Sequence, residues 1–438
     1  MKNKIFIWSL LTMLICSCHD NSKLWRIQDN GLYGFVDSLG NEIIKPQYKY
    51  VGNFRSGYAC VITDAKLEIK DLLLRKDTLL KVKYGYIDAY NNLVIDTTNV
   101  AILNVAPNMY DFPKRFANKQ MGFREIALPE LDLVDDRFIF QDEKSMKFGY
   151  KNSEGDIVIS PIYQSAKSFS NGRAVVQDTI NVEESFKDGK KDFSFLNKFG
   201  AIDVDGNKVV NCEYAYISQF SKNKETWACF ITMDDDNETI NKQWVLIDEN
   251  GKVLIPPSPM WDHVYNSDEG LYVGQMNMLG FIHYTFIDKS GNFLTDYDHD
   301  GTLMMSFEEG GKNELLSDVT AFSDGFAGIK GRCGANSVWY FANKQLDSNF
   351  TPYDSVQCFS GGLAAVKQYV DESSGYGLHS GNWGYIDKKA NIVIPYQFSD
   401  CGSFRGALAY FKKWGSVYDI EGYINKQGEI VWQTRCRK

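Results

Sequence analysis

Phe359-Ser360-Gly361-Gly362-Leu363-Ala364-Ala365-Val366 decides the reading of this chain, together with the remainder of its unit: a polar loop, Trp383-Gly384-Tyr385-Ile386-Asp387, a short turn and Ile392-Val393-Ile394-Pro395. Degraded copies of this run recur along nearly the whole length. A period of roughly 40 residues that carries only strands and turns signals a repeat array, in which each unit buries its apolar face against its neighbours.

Counted from the aromatic-Gly position, the copies are Tyr33-Gly34-Phe35-Val36-Asp37, Tyr84-Gly85-Tyr86-Ile87-Asp88, Phe148-Gly149-Tyr150, Phe199-Gly200-Ala201-Ile202-Asp203, Trp244-Val245-Leu246-Ile247-Asp248, Tyr284-Thr285-Phe286-Ile287-Asp288, Trp339-Tyr340, Trp383-Gly384-Tyr385-Ile386-Asp387 and Glu421-Gly422-Tyr423-Ile424. The alternation in Tyr-Ile-Asp places Ile on one face and its aromatic neighbours on the other, as a covered strand requires. The Asp is positioned to cap the turn after it. That turn carries Gly40, Gly206, Gly251, Gly291 or Gly428 where a tight hairpin needs positive φ, and Asn91 and Asn391 stand at or beside the position where Gly is missing. The next strand ends at Pro46, Pro161, Pro256 or Pro395, where a lost amide donor is harmless. A further strand is announced by Phe-x-x-Gly, as in Phe54 with Gly57, Phe169 with Gly172 and Phe322 with Gly325. Ala59, Ala174, Ala228, Ala327 and Ala364 then hold a corresponding place, which predicts a close approach between neighbouring sheets, and Cys60 and Cys229 beside them are expected to be buried.

These units resemble the bacterial WG (KWG) β-repeat family over nearly everything after Trp25. The resemblance implies an all-β chain of about eight or nine three-stranded antiparallel units, in a propeller-like or solenoidal array. Periodicity alone does not choose between a closed ring and an open stack.

The composition agrees. With 438 residues, 44% of them hydrophobic, the chain can bury a large core, and 36 Gly against 10 Pro suits many tight turns. Lys2 and Lys4 precede an apolar run from Ile5 to Leu14 that is about the length of a secretory h-region. Ile15-Cys16-Ser17-Cys18 then resembles the bacterial lipobox, with Cys18 at the lipidated position. This implies a signal peptide over 1–17, a tether over 18–24 and the repeat array over 25–438. It also implies membrane attachment through lipid at Cys18; with His19 rather than Asp next, it implies an outer-membrane lipoprotein of the bacterial cell envelope. Loss of both lysines takes the formal charge from −9 to about −11, which disfavours nucleic acid as a partner. Of the 9 cysteines, Cys358 and Cys401 hold similar places in successive units, so a disulfide between them would clip neighbours together.

Two insertions interrupt the period. Residues 65–83 read as a short helix or a long hairpin. Residues 100–147 carry Tyr110, Phe112, Arg115, Phe116 and Phe123, and insertions into repeats often fall on a binding face, so this patch is a candidate for a protein or glycan partner. An equal alternative is that these aromatics pack inward.

Catalytic patterns are sparse: there is no GxSxG elbow, Walker A loop or HExxH pair, and the 5 His are scattered. Asp296-Tyr297-Asp298-His299-Asp300-Gly301 has the alternating carboxylates of a calcium loop, making Asp296, Asp298 and Asp300 candidate calcium ligands, although the closing Glu is displaced and a polar turn is the plainer reading. The chain is therefore expected to be a lipid-anchored envelope scaffold that recognises a protein or glycan and is not an enzyme. An envelope hydrolase acting on glycan or peptide is the rival reading, and a purely structural envelope component the third.

Overall fold

The computed structural model describes residues 24–72, 75–104, 132–142, 144–178, 186–187, 190–191, 198–233, 240–278, 281–293, 296–297, 303–304, 318–333, 336–345, 350–368 and 381–437. Among these, nine antiparallel sheets of three or four strands succeed one another along the chain and form the blades of a propeller. Each of the nine aromatic-Gly copies falls in the third strand of one blade. Blade 8 shows the full pattern: an inner strand Ser355–Val356, a second strand Leu363–Lys367, a third strand Trp383–Asp387 and an outer strand Ile392–Phe398. The two-residue inner strand adds a fourth member to the expected three-stranded unit. It recurs as Tyr50–Val51, Ser165–Ala166, Tyr216–Ile217 and Asp400–Cys401 in blades 2, 4, 5 and 9.

The glycine of the aromatic-Gly pair is required by the outer strand. In blade 8, Trp383 and Tyr385 pair with Phe398 and Ile394, so four residues of the outer strand span two of the third. This bulge pushes backbone against Gly384, where a Cβ would lie 2.7 Å from the Ile394 carbonyl oxygen and 3.0 Å from Tyr396 N. Gly149 and Gly200 are crowded in the same way by Ile159 and Val210. Blade 5 has Val245 in place of the glycine, and there the spacing shrinks: Trp244 and Leu246 pair with Ser258 and Ile255, three residues against two. The departure from the repeat is thus matched by a shorter bulge in the same blade.

The Asp that ends the third strand does cap the next turn. Asp387 Oδ1 accepts from the amides of Lys389 at 2.8 Å and Asn391 at 2.9 Å, and Asp203, Asp248 and Asp288 repeat the arrangement. Asn425 serves equally well in blade 9. Positive φ falls at Gly40, Gly206, Gly251, Gly291, Gly428 and Asn91 as anticipated; in blade 8 it falls on Ala390, one residue before Asn391.

Blades are joined by recurring side-chain contacts. The Phe of Phe-x-x-Gly packs on the third-strand aromatic of the preceding blade, with ring centroids 5.0 Å apart for Tyr150 and Phe169 and 4.8 Å for Phe286 and Phe322, and Phe404, whose run is Phe-Arg-Gly-Ala, does the same on Tyr385 at 5.1 Å. Such pairs contribute about 0.5–1.5 kcal/mol each beyond the area they bury. Tyr150 and Tyr385 also donate to the carbonyls of Lys167 and Gly402 in the next blade, both at 2.8 Å. Ala59, Ala174, Ala327 and Ala364 are fully buried at these junctions. Ala228 does not share their place: it pairs with Val245, and Thr226, opposite Ile247, takes the equivalent position.

The ring closes. Tyr423 of blade 9 donates to the Arg26 carbonyl in the second strand of blade 1 at 2.9 Å, whereas Tyr150 and Tyr385 reach the residue that follows the inner strand of the next blade. Trp25 Nε1 donates to the Arg405 carbonyl at 3.1 Å, and Trp25, Ile27, Val36 and Leu408 form one buried cluster. No strand is shared between the first and last blades among the described residues. Blade 1 starts at its second strand, Trp25–Asp29, and has no inner strand among the described residues. Its place at the axis is bridged by Arg405, which donates to the Phe54 carbonyl of blade 2 at 3.3 Å, and by Arg26, which donates to the Tyr50 hydroxyl at 3.1 Å. Burial, and then the neighbouring Arg26, hold the Arg405 guanidinium below its ordinary value.

The 65–83 insertion is a hairpin: the second and third strands of blade 2 lengthen to Tyr58–Leu72 and Arg75–Asp88. Cys358 and Cys401 are not joined by a disulfide, and Cys60, Cys212, Cys229 and Cys436 are likewise not disulfide-bonded. Cys60 and Cys229 are buried as expected.

Candidate functional site

The Phe-x-x-Gly turns join each inner strand to the second strand, so a ring of blades carries them to one end of its axis. There, residues of six consecutive blades enclose one cavity of about 970 Å³. Its wall is made of Arg55 and Ser56 of blade 2, Val134 of blade 3, Ser170 and Asn171 of blade 4, Gln219 and Lys222 of blade 5, Asn266 and Asp268 of blade 6 and Ser323 and Asp324 of blade 7. The turns are held in shape by paired positive φ angles, such as 53° and 80° at Asn171-Gly172 and 54° and 87° at Asp324-Gly325. In a two-residue hairpin turn, only glycine and short polar residues accept that geometry readily. The same requirement that shapes the fold therefore makes the wall polar.

Most of these polar groups tie one blade to the next. Asp268 accepts from Lys222 N at 2.9 Å and pairs with Lys222 Nζ at 3.3 Å. Glu269, also in the wall, accepts from Gly325 N at 3.1 Å and pairs with Lys344 at 3.1 Å. Asp324 accepts from Gly362 N at 2.7 Å, and Asn171 donates to the Phe220 carbonyl at 2.8 Å. Arg55 pairs with Asp132 at 3.0 Å. Ser221 differs: its hydroxyl is buried, lines the cavity and has no hydrogen-bond partner among the described residues. An unpaired buried hydroxyl carries a desolvation penalty of about 1–3 kcal/mol, which a ligand donor or acceptor would relieve.

Phe169 and Phe322 of the Phe-x-x-Gly turns line this wall, but none of the candidate lipidation, partner-binding or calcium residues does. Cys18, the aromatic patch Tyr110, Phe112, Arg115, Phe116 and Phe123, and Asp298 and Asp300 lie outside the described residues. The backbone of Asp296 is in a short strand paired with Leu303–Met304. Among the described residues, no group of three or more His, Cys, Asp or Glu could hold a metal ion, and no helix is long and apolar enough to cross a membrane. The cavity went unrecognised because its residues are single members of separate repeats. The signal for it was the recurring Phe-x-x-Gly turn, whose equivalent copies must meet once the units form a ring.

A search of the curated proteins finds no match to the chain. Solved structures similar to it include a eukaryotic initiation factor, at 10% identity and TM-score 0.35, covering 77% of this chain and 93% of the other. TolB from Acinetobacter baumannii matches at 12% identity and TM-score 0.27, over 87% and 80% of the two chains. The β-propeller domain of the Trilobed protease from Pyrococcus furiosus matches at 8% identity and TM-score 0.32, over 80% and 97%. Four segments, residues 33–66, 148–178, 199–229 and 383–415, match the family model for the WG containing repeat, and each runs from the third strand of one blade into the second strand of the next, across blades 1–2, 3–4, 4–5 and 8–9 of the nine-bladed propeller.

Proposed function

We propose that this protein is a lipid-anchored cell-envelope scaffold that recognises a protein or glycan partner at the axial cavity. The observation that carries the reading is the cavity itself, walled by turns of six blades and lined with hydroxyl, amide and charged groups. Its volume is in the range of ligand sites, and a few convergent polar groups on rigid elements are what recognition needs. A hydrolase would need carboxylates available for acid and base work. Those in this wall, Asp268, Glu269 and Asp324, are already occupied by backbone amides or lysines of this chain or a neighbouring blade, which favours binding over hydrolysis.

The anchor is proposed from the Lys2-Lys4, apolar and Cys18 sequence of segments. Labelling with a fatty-acid analogue tests it: Cys18→Ala is expected to lose the label and retain the signal segment, and equal label on both forms refutes the anchor. The cavity is tested by capture from envelope extract with the chain from Ser22 onward, wild type against Gln219→Ala combined with Ser221→Ala. Loss of the captured species in the double variant supports recognition at the cavity. Capture unchanged by the double variant refutes it.

A further inference from the structure

Toward the start of the inner strands, where Tyr216 and His263 lie, aromatic rings from blades 5 and 6 form a continuous ledge, which Tyr265, at the cavity-side end of its strand, joins by packing on His263. The Tyr216 and His263 rings lie 5.8 Å apart, His263 and Tyr265 4.3 Å apart, and Trp244 packs beneath them, 4.8 Å from His263. Tyr216 and Tyr265 are 38% and 43% exposed, whereas Trp244 is 3% exposed. Polar groups frame the rings. Lys167 Nζ sits 5.0 Å over the Tyr216 ring, and the Tyr265 hydroxyl donates to Gln275 Oε1 at 3.1 Å. The indole N–H of Trp244 is buried with no hydrogen-bond partner among the described residues. A buried donor left open beside exposed rings is unusual, because indole N–H groups find a partner when buried.

We propose that the Tyr216, His263 and Tyr265 ledge binds a pyranose ring of a glycan, stacking the C–H face of the sugar on the exposed tyrosines and meeting its hydroxyls with Lys167 and the Tyr265 hydroxyl. The framing polar groups decide the class. A cationic ligand is disfavoured because the Lys167 ammonium, 5.0 Å from the Tyr216 ring, would repel it. A lipid chain or wholly apolar peptide is disfavoured because the rings are interrupted by a lysine and by tyrosine hydroxyls, which such a ligand would strip of water without replacement. A sugar offers both an apolar face and a rim of donors and acceptors. Burial, then the nearby Lys242, hold the His263 imidazole below its ordinary value, so at neutral pH it keeps one nitrogen as donor and one as acceptor. The proposal rests on the recognition reading, but on a surface separate from the cavity.

Equilibrium dialysis of the detergent-solubilised full chain tests it, with fluorescently labelled cellohexaose and chitohexaose as neutral probes and a galacturonic acid hexamer as the acidic one. At least one hexamer is expected to bind saturably, with Tyr216→Ala weakening it about 10-fold or more and Tyr216→Phe, which keeps the ring, within about 3-fold of wild type. Tyr265→Ala is the second variant, and a thermal melt of each confirms the fold. Gln219→Ala with Ser221→Ala, at the cavity, is expected to leave hexamer binding unchanged. Binding of the acidic hexamer alone assigns Lys167 to a sugar carboxylate; binding of a neutral one assigns the ledge to hydroxyls. Absence of binding by all three hexamers, or equal affinity in wild type and both alanine variants, overturns the proposal. Envelope capture lost in the cavity variant and kept in Tyr216→Ala would leave the recognition reading standing without the ledge.

Discussion

Replacing Gly384 by valine tests whether the outer-strand bulge dictates glycine in the third strand. A Cβ there would sit 2.7 Å from Ile394 O and 3.0 Å from Tyr396 N, both backbone atoms fixed by the bulge, so relief requires the strands to move apart. Overpacking of this kind costs about 1–3 kcal/mol, and contact with backbone places this case near the top of that range. The lower chain entropy of valine returns about 0.5–1 kcal/mol, leaving a net loss of about 2 kcal/mol. Blade 5 supplies the compensation, since it carries Val245 with one residue fewer in the bulge. Deleting Gln397 in the Gly384→Val background, which leaves Phe398 opposite Trp383, is therefore expected to recover most of the loss. Gly402→Ala is the control, because a Cβ there meets only Tyr410 Cβ at 3.6 Å and should shift stability by no more than about 0.5 kcal/mol. Denaturant midpoints compare the four proteins. A Gly384→Val protein as stable as wild type, or one that the deletion harms further, would refute the coupling between glycine and bulge.

Gly251, at φ 82°, should tolerate valine poorly, losing about 1–3 kcal/mol from backbone strain, while Lys252→Ala next to it should change little; equal denaturant midpoints for the two would remove the turn assignment. The Asn391 side-chain amide, and then the amides of Asn391 and Lys389, hold the Asp387 carboxyl below its ordinary value. Its contribution is thus present above the unfolded carboxyl value of about 3.9 and is lost as pH falls through the lower folded value. Asp387→Asn, the residue that does this work at Asn425, should melt close to wild type at pH 7 and lose less than wild type below about pH 4. Parallel melting curves for the two proteins across that acid range would contradict the assignment.

The sequence disclosed the fold through repetition. Nine degraded copies of one motif marked nine third strands, because Tyr-Ile-Asp and the turn after it satisfy backbone requirements that every blade shares. The inner strand escaped notice because two residues, such as Tyr216–Ile217, are too few to show a period. Ala228 was misplaced because blade 5 begins its second strand with a longer turn, in which Lys224 rather than a glycine takes positive φ, and the equivalent residue is Thr226. Closure was not legible at all. It depends on Trp25 with Arg405 and on Arg26 with Tyr423, pairs 380 and 397 residues apart in sequence whose partnership no local pattern encodes. The cavity and the ledge share this property, since Gln219 and Asn171, or Tyr216 and His263, become neighbours only when blades stand side by side.

The proposed anchor and the position of Trp25 together set which way each surface faces. Trp25 pairs with Val36 as Ala174 pairs with Ile202, so the chain enters blade 1 at the end of the ring where Asn171-Gly172 and its counterparts wall the cavity. Trp25 is seven residue steps beyond Cys18, and at about 3.4 Å each these span no more than about 24 Å. With lipid on Cys18, the cavity would face the membrane at close range and the ledge would face away from it. The cavity partner is then expected to reside in or on the same membrane, where the short tether raises its effective concentration, and the glycan to approach from the opposite side. Inserting about 20 Gly/Ser residues between Cys18 and Trp25 should weaken capture of the cavity partner in intact membranes while leaving hexamer binding at Tyr216 unchanged. Capture that is indifferent to tether length would mean that the anchor does not orient the cavity toward its partner.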